Sequence, residues 1–336
     1  MSTARDSVGV FSARVTASRG VCTGHYLLQL AVRDFPPSQP GQFVHIRCGR
    51  AEAVEGGGPQ SQYTGIGVPA RVGRRGDPPG RPPRIQQPET AGRQPLLRRP
   101  ISLAGRRDLG GGQVELDIIY HVVGVGTAWL AELAPGDEVD ILGPLGNGFS
   151  LEAQRPMAAL VGGGVGIPPM IYLAQALGER GRPAVAFAGA RTAALLPLTL
   201  ARGAPPSQAG WPTMCAAEFA ARGTPTVVAT DDGSLGVTGY VHQALERWLL
   251  EGRQDPAALA VYACGPLPMI RAVVELCRRR ELPCQVAMER HMGCGLGACQ
   301  GCNIKVISPE EPGWRYRLVC KDGPVFDGEA LYFEKT

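Results

Sequence analysis

The chain has 336 residues, a net charge of +4 and 44 % hydrophobic residues, enough for two sizeable cores and a small module. Its cations are 31 arginines and only 3 lysines, scattered instead of gathered in a block or alternated with aromatics, so nucleic-acid binding is unsupported. The one long uncharged run, Met157 to Gly178, holds Gly162, Gly163, Gly164, Gly166 and the pair Pro168-Pro169, which suits a strand, turn and helix and not a membrane span. The N-terminus lacks the apolar core of a signal peptide, so a cytoplasmic, reducing setting is expected.

From Val8 to Phe149 the pattern is one of short alternating or β-branched runs: Phe11 to Thr16, Tyr26 to Val32, Phe43 to Cys48 and Val114 to Val122. Turn signals at Pro40-Gly41 and Pro135-Gly136-Asp137 separate them, and a short helix starting near Gly126 is expected to carry Trp129, Leu130 and Leu133. This predicts a small antiparallel β-barrel over residues 8–152. Between Gly49 and Pro95 the apolar periodicity disappears and 18 of 47 residues are Gly or Pro. A disordered insertion between two barrel strands is expected there, because such a segment cannot offset its ordering entropy by burial.

Arg99-Pro100-Ile101-Ser102 follows at the start of a strand. A guanidinium there can fork onto a pyrophosphate, and the serine hydroxyl can hydrogen-bond a flavin edge. Ile119-Tyr120-His121 ends a strand where an aromatic ring can lie beside a flavin. Gly124-x-Gly126-Thr127 opens the short helix, where free amides can receive phosphate.

From Pro156 to Met288 apolar strands alternate with helical segments, which predicts an α/β, doubly wound parallel sheet. The strand Ala158 to Val161 runs into Gly162, Gly163, Gly164 and Gly166, followed by Ile167 and the proline pair. Glycines let the backbone approach a dinucleotide, and proline suits a first helical turn. Later strands end at Gly189-Ala190-Arg191, at Asp231-Asp232-Gly233-Ser234 and at Cys264-Gly265-Pro266, loops expected to converge on one crevice at the carboxyl edge of the sheet. Asp231 and Asp232 suit either ribose recognition or a plain turn. Cys264 suits either a place near a nicotinamide or tight packing. Arg191 and Arg202 keep NADP open beside NAD.

In the last segment, residues 289–336, Cys294, Cys299 and Cys302 stand in a C-x4-C-x2-C array with Cys320 as the one later cysteine, the spacing of plant-type 2Fe-2S sites. Small residues between them let the backbone wrap an inorganic core. Zinc is the rival ligand, although zinc ribbons usually pair two C-x2-C knuckles. Glu289, Arg290 and His291 suit either contacts to a flavin or a solvated linker.

Taken in order, R-P-x-S, G-x-G-T, G-G-G-x-G-x-x-P and C-G-P resemble the ferredoxin reductase superfamily, in which a flavin barrel precedes a nicotinamide-nucleotide domain. With the cysteine module placed last, and with Asp231-Asp232-Gly233-Ser234, the chain resembles the electron-transfer subunits of class 1B dihydroorotate dehydrogenases. The resemblance implies a β-barrel flavin domain, a nucleotide domain over 156–288 and a C-terminal 2Fe-2S module. It implies FAD on Arg99, Pro100, Ile101, Ser102, Ile119, Tyr120, His121, Gly126 and Thr127. It implies NAD(H) as substrate and the cluster on the four cysteines; the strand-end loops read above, Gly162, Gly163, Gly164, Gly166, Asp231, Asp232, Cys264, Gly265 and Pro266, are the expected NAD site. It also implies a partner, an FMN-containing catalytic subunit that oxidises dihydroorotate in pyrimidine biosynthesis, assembled as a heterotetramer. His121 departs from that pattern, standing where Lys or Arg is common. An NAD(P)H–ferredoxin or hydrogenase-linked reductase subunit shares these motifs, and a zinc-stabilised interaction protein is the non-enzymatic rival.

Overall fold

The computed structural model describes residues 8–49, 97–152, 155–251 and 255–334. The expected insertion lies outside the described residues apart from Gly49. Strands β1 (Gly9–Cys22), β2 (His25–Arg33), β3 (Phe43–Ile46), β4 (Arg99–Gly110), β5 (Gln113–His121) and, after helix α1 (Val125–Ala131), β6 (Glu138–Leu145) close into an antiparallel barrel in the order β1-β2-β5-β4-β3-β6. Period-two alternation sends Val44, Ile46, Ile101, Leu103, Leu116 and Ile118 into the barrel core. The intervening residues of β3 and β4, Phe43 opposite Ser102 and His45 opposite Pro100, occupy the outer face. Helix α1 stops at Ala131, so Leu133 packs on the barrel from beyond the helix, two residues before Pro135.

The second layer begins with β7 (Met157–Gly163), α2 (Ile167–Gly178), β8 (Ala184–Ala190), α3 (Ala217–Ala220), β9 (Thr226–Thr230) and β10 (Val237–Thr238). It continues with α4 (Val241–Leu250), β11 (Leu259–Cys264), α5 (Leu267–Arg279) and β12 (Cys284–Ala287). Helices α2 and α3 cover one face of the sheet while α4 and α5 cover the other, which explains why the strands read as continuous apolar runs. Ala158 to Val161 have no exposed surface, and full burial of a Val or Leu side chain there contributes roughly 1.5–3 kcal/mol.

The C-terminal segment contributes a hairpin of β13 (Asn303–Ile307) and β14 (Trp314–Leu318), then β15 (Val325–Asp327). Strand β15 adds antiparallel to β12, so the sheet expected to end by Met288 has a seventh strand, in the order β10-β9-β8-β7-β11-β12-β15. Asn147, just after β6, holds the same strand through Val325, accepting its N–H at 2.8 Å and donating to its carbonyl at 2.9 Å. On the other side of the seam Tyr172 and Gln175 of α2 donate to the carbonyls of Ser38 and Arg106. Among the described residues no helix is long and apolar enough to cross a membrane.

Candidate functional site

The first part of the site is built on β4 and the start of α1. A Cβ at Gly126 would fall 2.6 Å from Arg99 Nε, so this glycine leaves the space in which the Arg99 side chain lies across the first turn of α1. Two motifs separated by more than twenty residues thus become one surface. Thr127 uses its hydroxyl to accept the amides of Val123 and Gly124 at 2.9 and 3.2 Å, so two amides expected to be free are satisfied within the turn. Alternation also divides the neighbouring motifs. Ser102 and Pro100 lie on the outer face, whereas Ile101 turns into the barrel. Tyr120, expected beside a flavin, is 4 % exposed in the barrel core near Tyr26, so only its backbone is available to a ligand, while Ile119 packs outward against the second layer.

His121 stacks on His25 with ring centroids 4.3 Å apart. Burial lowers the pKa of His121, and the nearby His25 and Arg191 lower it further. Arg191, from the loop after β8, therefore brings to this end of the barrel the positive charge that His121 lacks when neutral.

The second part lies where the strand order reverses, between β7 and β11, the place where doubly wound sheets open a crevice at their carboxyl ends. Not every glycine there faces that crevice. A Cβ at Gly166 would sit 2.1 Å from the carbonyl oxygen of Cys264, so this glycine lets adjoining segments pack backbone to backbone, and one at Gly163 would sit 2.5 Å from Met269 Sδ, so that glycine makes room for the Met269 side chain. Gly164, with φ +53° and open space around it, is the one free to meet a ligand. Gly265 packs toward the Gly163 amide, and Pro266 caps α5. Burial raises the Cys264 thiol to about 12, with Glu289 adding to the effect, so it is held as a neutral thiol. Asp232 is spent on its own turn, accepting from the Ser234 amide at 3.0 Å and hydroxyl at 2.6 Å, which lowers its pKa. Ser234 Oγ in turn accepts the Ala193 amide at 2.8 Å and ties this loop to the one after β8. Asp231, beside Asp232, is exposed.

Glu289, which the sequence leaves open between a flavin contact and a solvated linker, comes to the same edge because Ala287 of β12 pairs with Cys264 of β11. The signal for it was its place two residues beyond a strand end.

The cysteines form two pairs. Cys294 Sγ accepts the amides of Leu296 and Cys299, each at 3.4 Å, and also contacts the Cys299 side chain. These hydrogen bonds, the Cys299 amide foremost, lower the Cys294 thiol to about 6. The sulfurs of Cys302 and Cys320 are 3.2 Å apart, buried, and the Cys302 sulfur accepts the Cys320 amide. The long spacing between these two is the β13–β14 hairpin, whose register, with Val319 N–H on the Cys302 carbonyl, returns the chain to its start. Two thiol pairs ringed by amides fit a dinuclear iron–sulfur core. Among the described residues no three His, Cys, Asp or Glu side chains converge as the ligands of a single metal ion would. One continuous core runs from Phe43 and Leu145 of the barrel through the sheet to Cys302 and Cys320.

Residues 289–332 match the family model of the iron–sulfur cluster binding domain of dihydroorotate dehydrogenase B. The chain is 41 % identical over 327 residues to the dihydroorotate dehydrogenase B (NAD(+)) electron transfer subunit of Geobacillus thermodenitrificans, covering 96 % of each chain. It is 28 % identical over 326 residues to the subunit of that name from Desulforamulus reducens, covering 97 % of this chain and 99 % of the other. Among solved structures it resembles an NADH-dependent reduced ferredoxin–NADP oxidoreductase, with a TM-score of 0.66, 23 % identity and 95 % and 89 % of the two chains covered. A cytochrome P450 reductase of Amycolatopsis gives 0.54 at 22 % identity, with 82 % and 67 % covered. At those identities the likeness is one of fold. The near full-length relatives and the matched cysteine domain together show that this chain belongs to the family of dihydroorotate dehydrogenase B electron transfer subunits.

Proposed function

We propose that this chain carries electrons between NAD(H) at the switch-point crevice and a separate subunit that oxidises dihydroorotate, using FAD on the barrel and a 2Fe-2S cluster on Cys294, Cys299, Cys302 and Cys320. When bound, the flavin supplies the exchange between a hydride and single electrons, and the cluster the single-electron carrier. The observation that carries the reading is the shared core, in which Phe43 on the outer face of β3 belongs to one cluster with Cys302, Ile304 and Cys320 of the cysteine module.

In this reading the Arg99 guanidinium pairs with the FAD pyrophosphate, with Arg191 and His121 completing a basic end. The Ser102 hydroxyl hydrogen-bonds the flavin ring, Pro100 and Ile119 flank it, Ile101 and Tyr120 offer backbone only, and Gly126 with Thr127 shapes the turn. Gly164, Asp231, Gly265 and Pro266 position the nucleotide, and Cys264 and Glu289 line the nicotinamide end as a neutral thiol and an acid. Gly162, Gly163, Gly166 and Asp232 keep the loops in place. The amides around Cys294 and Cys302 hold the thiolates and exclude water. Cys299, Leu296 and Ala298 are exposed, and that edge faces an FMN-containing catalytic subunit in a heterotetramer of two of each, in the cytoplasm.

The test is co-purification with a candidate catalytic subunit, followed by dihydroorotate-driven reduction of NAD with FAD, FMN, iron and sulfide quantified. Activity that needs both chains supports the reading. A chain that holds FAD and iron yet neither binds that subunit nor supports the reaction serves another acceptor, and zinc in place of iron defeats the electron-transfer reading.

A further inference from the structure

His45 stands in the middle of β3 with no exposed surface, and neither ring nitrogen has a hydrogen-bond partner. Both polar atoms of a fully buried side chain are thus left unsatisfied, a state that native interiors avoid unless something else completes it. Its direction says where the missing partner lies. Val44 and Ile46 on either side point into the barrel, so His45 points outward, on the same face as Pro100 and Ser102 of the flavin strand. There it meets Gly295, the residue after Cys294. A Cβ at Gly295 would approach His45 Cε1, Nε2 and Nδ1 at 2.8, 2.9 and 3.1 Å, nearly equal distances that set the cysteine loop over the face of the ring, on the side of its two nitrogens. Gly295 has φ +73°, which doubly favours glycine where the loop rides over the ring. Phe43, two residues earlier on the same face, packs in one core with Cys302 and Cys320.

A neutral imidazole has one N–H to donate and one nitrogen to accept. Arg98, the charged group facing it, donates to the His45 backbone carbonyl and pairs with Asp140, so it does not serve the ring. A loop that wraps an iron–sulfur core presents acceptors, thiolate and sulfide, and hydrogen bonds to those sulfurs tune its reduction potential. We propose that His45 donates a ring N–H to a sulfur of the bound cluster past Gly295, so that the strand carrying the flavin face also sets the cluster's potential; this rests on the cluster reading above. His45 is then a positioning and tuning residue at the junction of the two cofactor sites.

The experiment uses the full chain loaded with FAD and cluster, titrated with redox mediators while the cluster is followed by EPR and the flavin by visible absorbance. His45→Phe keeps the ring and removes the N–H; His45→Gln restores a donor of similar reach. The expected result is a cluster potential shifted negative in His45→Phe, returned toward wild type in His45→Gln, with the flavin couple unmoved in both. A cluster that titrates like wild type in His45→Phe overturns the inference, as does a shift confined to the flavin, which would make the flavin the ring's partner. If His45→Phe loses the cluster on purification, pulsed EPR of the wild type grown on 15N-histidine decides. A nitrogen coupling that survives His291→Gln and vanishes in His45→Gln supports the hydrogen bond, and its absence rejects it. A wild-type chain without iron and sulfide defeats the cluster reading itself, whereas one that holds both and shows none of these effects defeats this inference alone.

Discussion

Three of the four module cysteines fall between Cys294 and Cys302, and a single hairpin returns Cys320 to them, whereas the proposed nucleotide crevice draws on Gly164, Asp231, Cys264 and Glu289 from four separate stretches of chain. The cysteine loop is therefore set by local spacing, with small residues and amides supplying the wrap. The crevice exists only once β7, β9, β11 and β12 are in register, and its glycines serve the packing of that register as much as any ligand. A local site should lose its ligand when one residue changes and leave the rest standing. A distributed site should lose stability and ligand together.

The sharpest break is Cys302→Ser. We expect loss of iron and sulfide by chemical assay and loss of electron delivery to the catalytic subunit, while FAD-dependent NADH oxidation by an artificial dye persists. Next comes Gly166→Ala, whose methyl would collide with the Cys264 carbonyl and push β7 and β11 apart at their carboxyl ends. Overpacking of this kind typically costs about 1–3 kcal/mol. Urea unfolding should show that loss together with a raised KM for NADH. Gly164→Ala meets only open space but must hold a left-handed backbone, which costs roughly 1–2 kcal/mol. If both glycine variants behave alike, the division between packing and ligand glycines is wrong.

Arg99→Ala tests the join of β4 to α1. A charged hydrogen bond typically contributes about 1.5–3 kcal/mol, so FAD affinity should fall roughly tenfold or more by fluorescence titration, with the cluster retained. The smallest effect is expected at the stacked pair His25 and His121. Burial is the leading cause that lowers both below the ordinary 6.5, so the unfolded chain takes up protons first as the solution is acidified. Stability contributed by the neutral pair is present above pH 6.5 and is lost as the pH falls below it. The urea midpoint of the wild type should drop more steeply between pH 7 and 5 than that of His25→Gln.

Much of the molecule was legible because its signals are periodic or local. Alternating runs announced the barrel, continuous apolar runs between helices announced the parallel sheet, and cysteine spacing announced the cluster loop. Motifs, however, name residues without saying which way they point. Tyr120 and Ile101 belong to flavin motifs yet turn into the barrel, because one residue along a strand reverses the face. Thr127 and Asp232 had the right chemistry for a ligand but close their own turns.

From the sequence alone came the order of the three parts, the spacing of the cysteine module and the family resemblance, since each depends on residue type and short spacing along the chain. Only the tertiary structure decided that Arg99 lies on Gly126, that Gly166 serves the Cys264 turn, that β15 rejoins the sheet and that His45 meets Gly295. Those relations join residues far apart in the chain, and they arise from strand register and close packing, which no local pattern encodes.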